Sequence, residues 1–74
     1  LTVKEFSLLR LLIQNKNKAL TRETILNTVW GYDFLGETRT LDVHVKEVRQ
    51  KLARAGLTAE VIQTVRGIGY KFAE

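Results

Sequence analysis

Residues 64–72, Thr-Val-Arg-Gly-Ile-Gly-Tyr-Lys-Phe, restrict the end of this chain to a tight β-hairpin. Val61, Ile62, Thr64 and Val65 form one β-prone arm, and Tyr70 and Phe72 anchor the other. Gly67 and Gly69 both offer backbone angles that residues with a Cβ resist, so the chain can reverse sharply between the arms. The turn puts Arg66 at the tip of a finger. There a guanidinium could enter a narrow groove or grip a phosphate. An ordinary surface hairpin with a solvated arginine accounts for this stretch equally well.

Upstream lies an amphipathic helix from Arg39 to Leu52. Leu41, Val45, Val48 and Leu52 recur at i, i+4, i+7 and i+11, which sets them on one apolar stripe. At about 100° per residue, Arg39, Val43, Lys46 and Gln50 point the other way, with Thr40 and Glu47 along one flank. Long cations, amides and an exposed valine are what phosphate gripping and thymine-methyl contact require. A solvated charged face is the commoner explanation of such a helix taken by itself. A basic helix followed by an arginine-tipped hairpin is a rarer conjunction.

Thr38-Arg-Thr-Leu-Asp-Val-His-Val-Lys-Glu-Val-Arg-Gln-Lys-Leu52, followed by Gln63-Thr-Val-Arg-Gly-Ile-Gly-Tyr-Lys-Phe72, resembles the OmpR/PhoB family of winged-helix DNA-binding domains. These are the effector ends of bacterial two-component response regulators. The resemblance extends to Leu1-Thr-Val-Lys-Glu-Phe-Ser-Leu-Leu9 and to Leu20-Thr-Arg-Glu23 running into Val29-Trp-Gly-Tyr32, so it covers nearly all of residues 1–74 in the family's order. It implies a mostly α fold with a small β-sheet: a winged helix-turn-helix of three helices and a C-terminal β-hairpin wing. The family's four-stranded N-terminal sheet and its receiver domain are not expected within residues 1–74, and without the sheet apolar surface is expected to be bared around Leu8 and Leu12. With no methionine, even at position 1, the chain is expected to be a piece of a longer gene product.

Local signals place the other elements. Thr2 with Glu5 three residues later makes a capping box, and Leu1 with Phe6 has the spacing of a hydrophobic staple. Phe6, Leu9 and Ile13, flanked by Leu8 and Leu12, are expected to form the buried face of the first helix, which ends at Asn15-Lys-Asn-Lys18. Ala19-Leu20 reads as a short extended link. Thr21 caps a second helix with Ile25, Leu26, Val29 and Trp30 facing inward.

Composition excludes several classes of function. There is no cysteine, which removes disulfides and thiolate zinc sites and fits a reducing cytoplasm. No apolar run is long enough to span a membrane. Asp42 with His44 is too small a set for a metal, and no nucleophile–base–orienter set is visible, so no catalytic residue, metal or cofactor is expected. Twelve Lys plus Arg against eight Asp plus Glu give a net charge of +4. Residues 39–74 hold seven cations and four acids, or +3 of that total. The excess therefore lies in the helix and hairpin already singled out.

The resemblance implies double-stranded DNA as the partner, bound at tandem half-sites in the bacterial nucleoid. The DNA-contacting residues would be Arg39, Thr40, Val43, His44, Lys46, Glu47, Arg49 and Gln50 on the third helix, with Thr64, Arg66 and Tyr70 on the wing. Arg39, His44, Lys46 and Arg49 would position phosphates, joined by the Thr64 and Tyr70 hydroxyls. His44 has the alternative of packing at the stripe's edge. Asp42 reads as the orienting partner of an arginine. Glu47 has two readings: an acceptor for a cytosine amino group, or an intrahelical pair with Lys51 at i+4. The loop residues Tyr32, Asp33, Phe34, Gly36 and Glu37 would contact RNA polymerase, often its sigma subunit. For this loop the rival is aromatics folded back on the core, which is the preferred reading for Trp30. The isolated chain is expected to be a monomer that binds DNA as a head-to-tail dimer. A winged-helix module that binds protein is the alternative function.

Overall fold

Thr2 starts the first helix as anticipated. Its hydroxyl accepts from the Glu5 amide at 3.1 Å while its own amide donates to Glu5 Oε1 at 2.8 Å, satisfying two of the helix's unpaired N–H groups. The computed structural model describes residues 2–31, 39–57 and 59–73. Helix α1 covers Val3–Gln14, strand β1 Leu20–Thr21, helix α2 Arg22–Trp30 and helix α3 Arg39–Arg54. A 3-10 turn at Ala59–Val61 leads into strands β2, Ile62–Val65, and β3, Gly69–Phe72. Leu1, and with it the staple to Phe6, lies outside the described residues. So do Tyr32, Asp33, Phe34, Gly36 and Glu37.

The three helices enclose one core, which the sheet closes. Leu8 and Leu12 of α1 meet Ile25 and Leu26 of α2, the stripe Leu41, Val45 and Val48 of α3, and Ile62 and Tyr70 of the sheet. Leu52 and Trp30 pack half-buried against that cluster. Among the described residues, then, the α3 stripe falls as its spacing predicts.

Three expectations need correction. The buried face of α1 is turned from the one anticipated: Leu8 and Leu12 are 0% exposed, whereas Phe6 is 57% and Ile13 44% exposed. Apolar surface is exposed at Phe6 and Ile13, with Leu9 half-buried between them, and not around Leu8 and Leu12. The cause is that Glu5, which lies on the same side as Leu8 and Leu12, goes inward, drawn by a partner on α3. Second, Leu20-Thr21 is a strand, not a bare link. It pairs antiparallel with β3, Leu20 opposite Tyr70 and Thr21 opposite Gly69, so the sheet has three strands in the order β1-β3-β2. Third, the two wing glycines answer different needs. Gly67 takes a φ of +79°, the left-handed region that favours glycine. At Gly69 the constraint is space, because a Cβ there would stand 2.2 Å from the Leu20 carbonyl oxygen.

Thr21 ends β1 and caps α2, its hydroxyl accepting from the Thr24 amide at 3.0 Å. The wing tip is anchored to this junction, since the Arg22 amide donates to the Ile68 carbonyl at 3.3 Å. Backbone hydrogen bonds thus hold the tip in a fixed relation to α2, and through the core to α3.

Candidate nucleic-acid interface

Burying Leu41, Val45 and Val48 forces the opposite side of α3 outward. Arg39, Val43, Lys46 and Gln50 are all exposed, with Thr40 and Glu47 half-buried on the flank. Val43 is 50% exposed, although burying a valine side chain is favourable. A shallow hollow lined by Arg39, Thr40, Val43 and His44 surrounds it. Across the molecule's surface Arg66, Gly67 and Ile68 form the exposed tip of the β2–β3 turn, closed by the Ile68 amide donating to the Val65 carbonyl at 3.0 Å. Cations thus project from two backbone elements that share one core.

Asp42 has the orienting partnership that its place on the helix suggested. The Arg22 guanidinium pairs with Asp42 Oδ1, and the Tyr70 hydroxyl donates to the same oxygen at 2.5 Å. Burial by itself would push the Asp42 carboxyl up. Hydrogen bonds from Tyr70 and Arg22 outweigh that and hold it below the ordinary carboxylate value. Burial, followed by the bond to the Asp42 carboxylate, pushes the Tyr70 phenol up, so the hydroxyl stays protonated as donor. The cluster joins the start of α2, the first turn of α3 and strand β3.

The residues proposed to touch phosphate separate into two groups. Arg39 and Lys46 stand exposed, and Thr64 is exposed on β2 although its hydroxyl accepts from Arg49. The other three are engaged within the protein. Tyr70 is 4% exposed and its hydroxyl is committed to Asp42, so the structure turns the expected phosphate donor into a core residue that braces the wing. Arg49 lies back on the sheet: Nε and Nη2 donate to the Ile62 carbonyl at 3.0 and 2.6 Å, and Nη2 also reaches Thr64 Oγ1 at 3.0 Å. His44 packs edge-on against Trp30, ring centroids 4.8 Å apart, and its Nδ1 donates to the Thr40 carbonyl at 2.8 Å, since a carbonyl can only accept. That contact holds Trp30 against the core side of α3, and the Lys4 ammonium sits 5.9 Å over the indole.

The residue that sequence reasoning missed altogether is Glu5, expected only to cap α1. Its side chain is buried beneath α3, where Oε1 accepts from Lys51 Nζ at 2.6 Å as well as from the Thr2 amide. The Lys51 hydrogen bond, then the Thr2 amide, hold the carboxyl down at about 2 against an ordinary 4.5. No local pattern could reveal a pair 46 residues apart.

Residues 1–72 match the family described as the C-terminal part of transcriptional regulatory proteins. The regulatory protein VanRB of Enterococcus faecalis is 47% identical over 74 residues, covering all of this chain and 31% of VanRB. The chain spans about a third of the length of the curated relatives it matches. In three dimensions it resembles the DNA-binding domain of Bacillus subtilis CssR, with a TM-score of 0.83 at 40% identity over 96% of this chain and 75% of that one. It also resembles the DNA-binding domain of the response regulator AdeR, crystallised with an intercistronic region. There the TM-score is 0.87 at 30% identity, over all of this chain and 72% of that one.

Proposed function

The chain belongs to the family of C-terminal domains of transcriptional regulatory proteins, and from that premise we propose how it works as the DNA-binding output domain of a response regulator. Helix α3 enters the major groove with Arg39, Val43, Lys46 and Gln50 foremost, and the wing tip brings Arg66 to the adjacent minor groove. One observation carries this reading most: the exposed residues of α3 and the Arg66 tip are held in register by a common core and by the Arg22–Asp42–Tyr70 cluster. The domain positions and recognises; it performs no chemistry of its own. In the longer protein, tandem half-sites would seat two copies head to tail. Loop residues 32–37 would meet RNA polymerase, and the setting would be the bacterial nucleoid.

Binding of the chain to duplex DNA at two salt concentrations tests the proposal. Counterion release makes DNA affinity fall steeply with salt, whereas docking through the apolar surface along Phe6 and Ile13 would not respond in that way. Arg66→Ala should weaken binding by about 1–3 kcal/mol and erase discrimination in favour of A·T-rich flanks. A fluorescence titration with unchanged affinity and unchanged flank preference would reduce the wing to a scaffold. For Lys46, a phosphate contact predicts that Lys46→Ala lowers affinity alike for matched and mismatched sites and flattens the salt slope by about one unit. A shift in base preference at an unaltered slope would contradict that role.

A further inference from the structure

Helix α3 carries two carboxylates, Asp42 and Glu47, on the element proposed to enter DNA. An acid on such a helix is repelled by phosphate unless something neutralises it or gives it a donor. Asp42 is neutralised within the protein by Arg22 and accepts a hydrogen bond from Tyr70. Glu47 differs. Its natural intrahelical partner is Lys51, one turn on, but the Lys51 ammonium is drawn under the helix to the buried Glu5 carboxylate at 2.6 Å. Among the described residues no ion pair or side-chain hydrogen bond reaches Glu47. The carboxylate sits on the outer flank, one helical turn from the exposed Val43 and beside the exposed Lys46.

We propose that Glu47 is a specificity-determining residue that accepts a hydrogen bond from the N4 amino group of a cytosine in the major groove, giving the half-site a C·G pair. Of the groups on base edges in that groove, the cytosine amino group offers a donor to an acceptor-only side chain and is the partner that Glu and Asp take. The adenine amino group is the other donor there. It lies beside the N7 acceptor, which repels a carboxylate and instead suits an amide that can both donate and accept. The Glu5–Lys51 clamp is part of the device. It keeps the one cation that could quench Glu47 from the same helix occupied elsewhere. Glu47 then lowers affinity for every site lacking the cytosine, which sharpens selection. The inference rests on the proposed DNA binding.

The experiment is selection of binding sites from random duplexes by the chain and by Glu47→Gln, with folding of each checked by circular dichroism. The wild-type logo should contain one strong C·G position, and replacing that pair should weaken binding by about tenfold. Glu47→Gln should lose this preference, shifting it towards A·T, while the other positions persist. Glu47→Ala guards against the glutamine carbonyl serving as the acceptor in place of the carboxylate, and should leave the position unselective. A wild-type logo without such a position, or an identical logo for wild type and Glu47→Ala, would overturn the proposal. Failure of wild type to bind any duplex at low salt would instead remove the DNA-binding reading itself, so the two failures are distinguishable.

Discussion

Gly69→Ala is expected to be the most damaging single substitution in the wing. The added methyl would lie 2.2 Å from the Leu20 carbonyl oxygen, 3.0 Å from the Arg22 nitrogen and 3.1 Å from the Thr21 carbonyl carbon. All three are backbone atoms, so no side chain can swing aside to make room. Either β1 leaves the sheet or β3 shifts, and each movement disturbs the cap of α2 and the anchored wing tip. The loss should reach about 3 kcal/mol or more, a large share of the total stability of a domain this small. Gly67→Ala provides the control. It meets open space and is penalised only through its positive φ, at about 1 kcal/mol. Urea midpoints should therefore fall much further for position 69 than for position 67. The reverse order would mean that β1 and β3 are not paired as described.

Removing the charge of Glu5 should produce the largest effect in the helical core. Glu5→Gln preserves the shape of the side chain and its capping acceptor but leaves Lys51 facing a neutral amide. Because the folded carboxyl titrates at about 2 and an unfolded one near 4.5, the unfolded chain takes up the proton first as pH falls. The stabilisation is thus fully present above about pH 4.5 and disappears on acidification towards pH 2. With the partly exposed Lys51 as partner, the contribution at neutral pH should be about 2–3 kcal/mol. Thermal unfolding of wild type and Glu5→Gln at several pH values checks this. The two curves should converge as pH approaches 2, and a gap that stayed constant across the range would contradict the assignment. Since Lys51 would be released towards Glu47 in this variant, its DNA selectivity should decline as well.

What could be read in the sequence was what repeats or closes over a few residues. The capping box at Thr2 and Glu5, the α2 cap at Thr21 and the Leu41–Val45–Val48 stripe each depend on neighbours within a turn or two of helix. Asp42 was legible as an arginine's partner because an acid among outward cations needs a reason to be there. The features that were not legible join distant parts of the chain. A two-residue strand such as Leu20-Thr21 has too few positions for an alternating pattern, and only its pairing with β3 defines it. Phe6 and Ile13 have the spacing of a core face, but the partner of Glu5 decides which side of α1 turns inward. In the candidate interface, exposure along α3 followed directly from the stripe. The engagement of Arg49, His44 and Tyr70 did not, because each is held by an acceptor or ring that tertiary packing brings near.

Arg49 has a bearing on how copies of this domain behave when crowded. With β3 in the centre, β2 is an outer strand, and the Ile62 carbonyl is among the groups available along its edge for a newcomer. The guanidinium covers that acceptor with two N–H groups and adds a charged, bulky side chain where another strand would have to lie. Its reach to Thr64 Oγ1 extends the cover along the strand. Growth of the sheet by strand addition, the usual route from a small β-edge to aggregates and swapped dimers, therefore meets a like-charged barrier on every copy. Copies of the domain brought close together therefore keep their sheets separate.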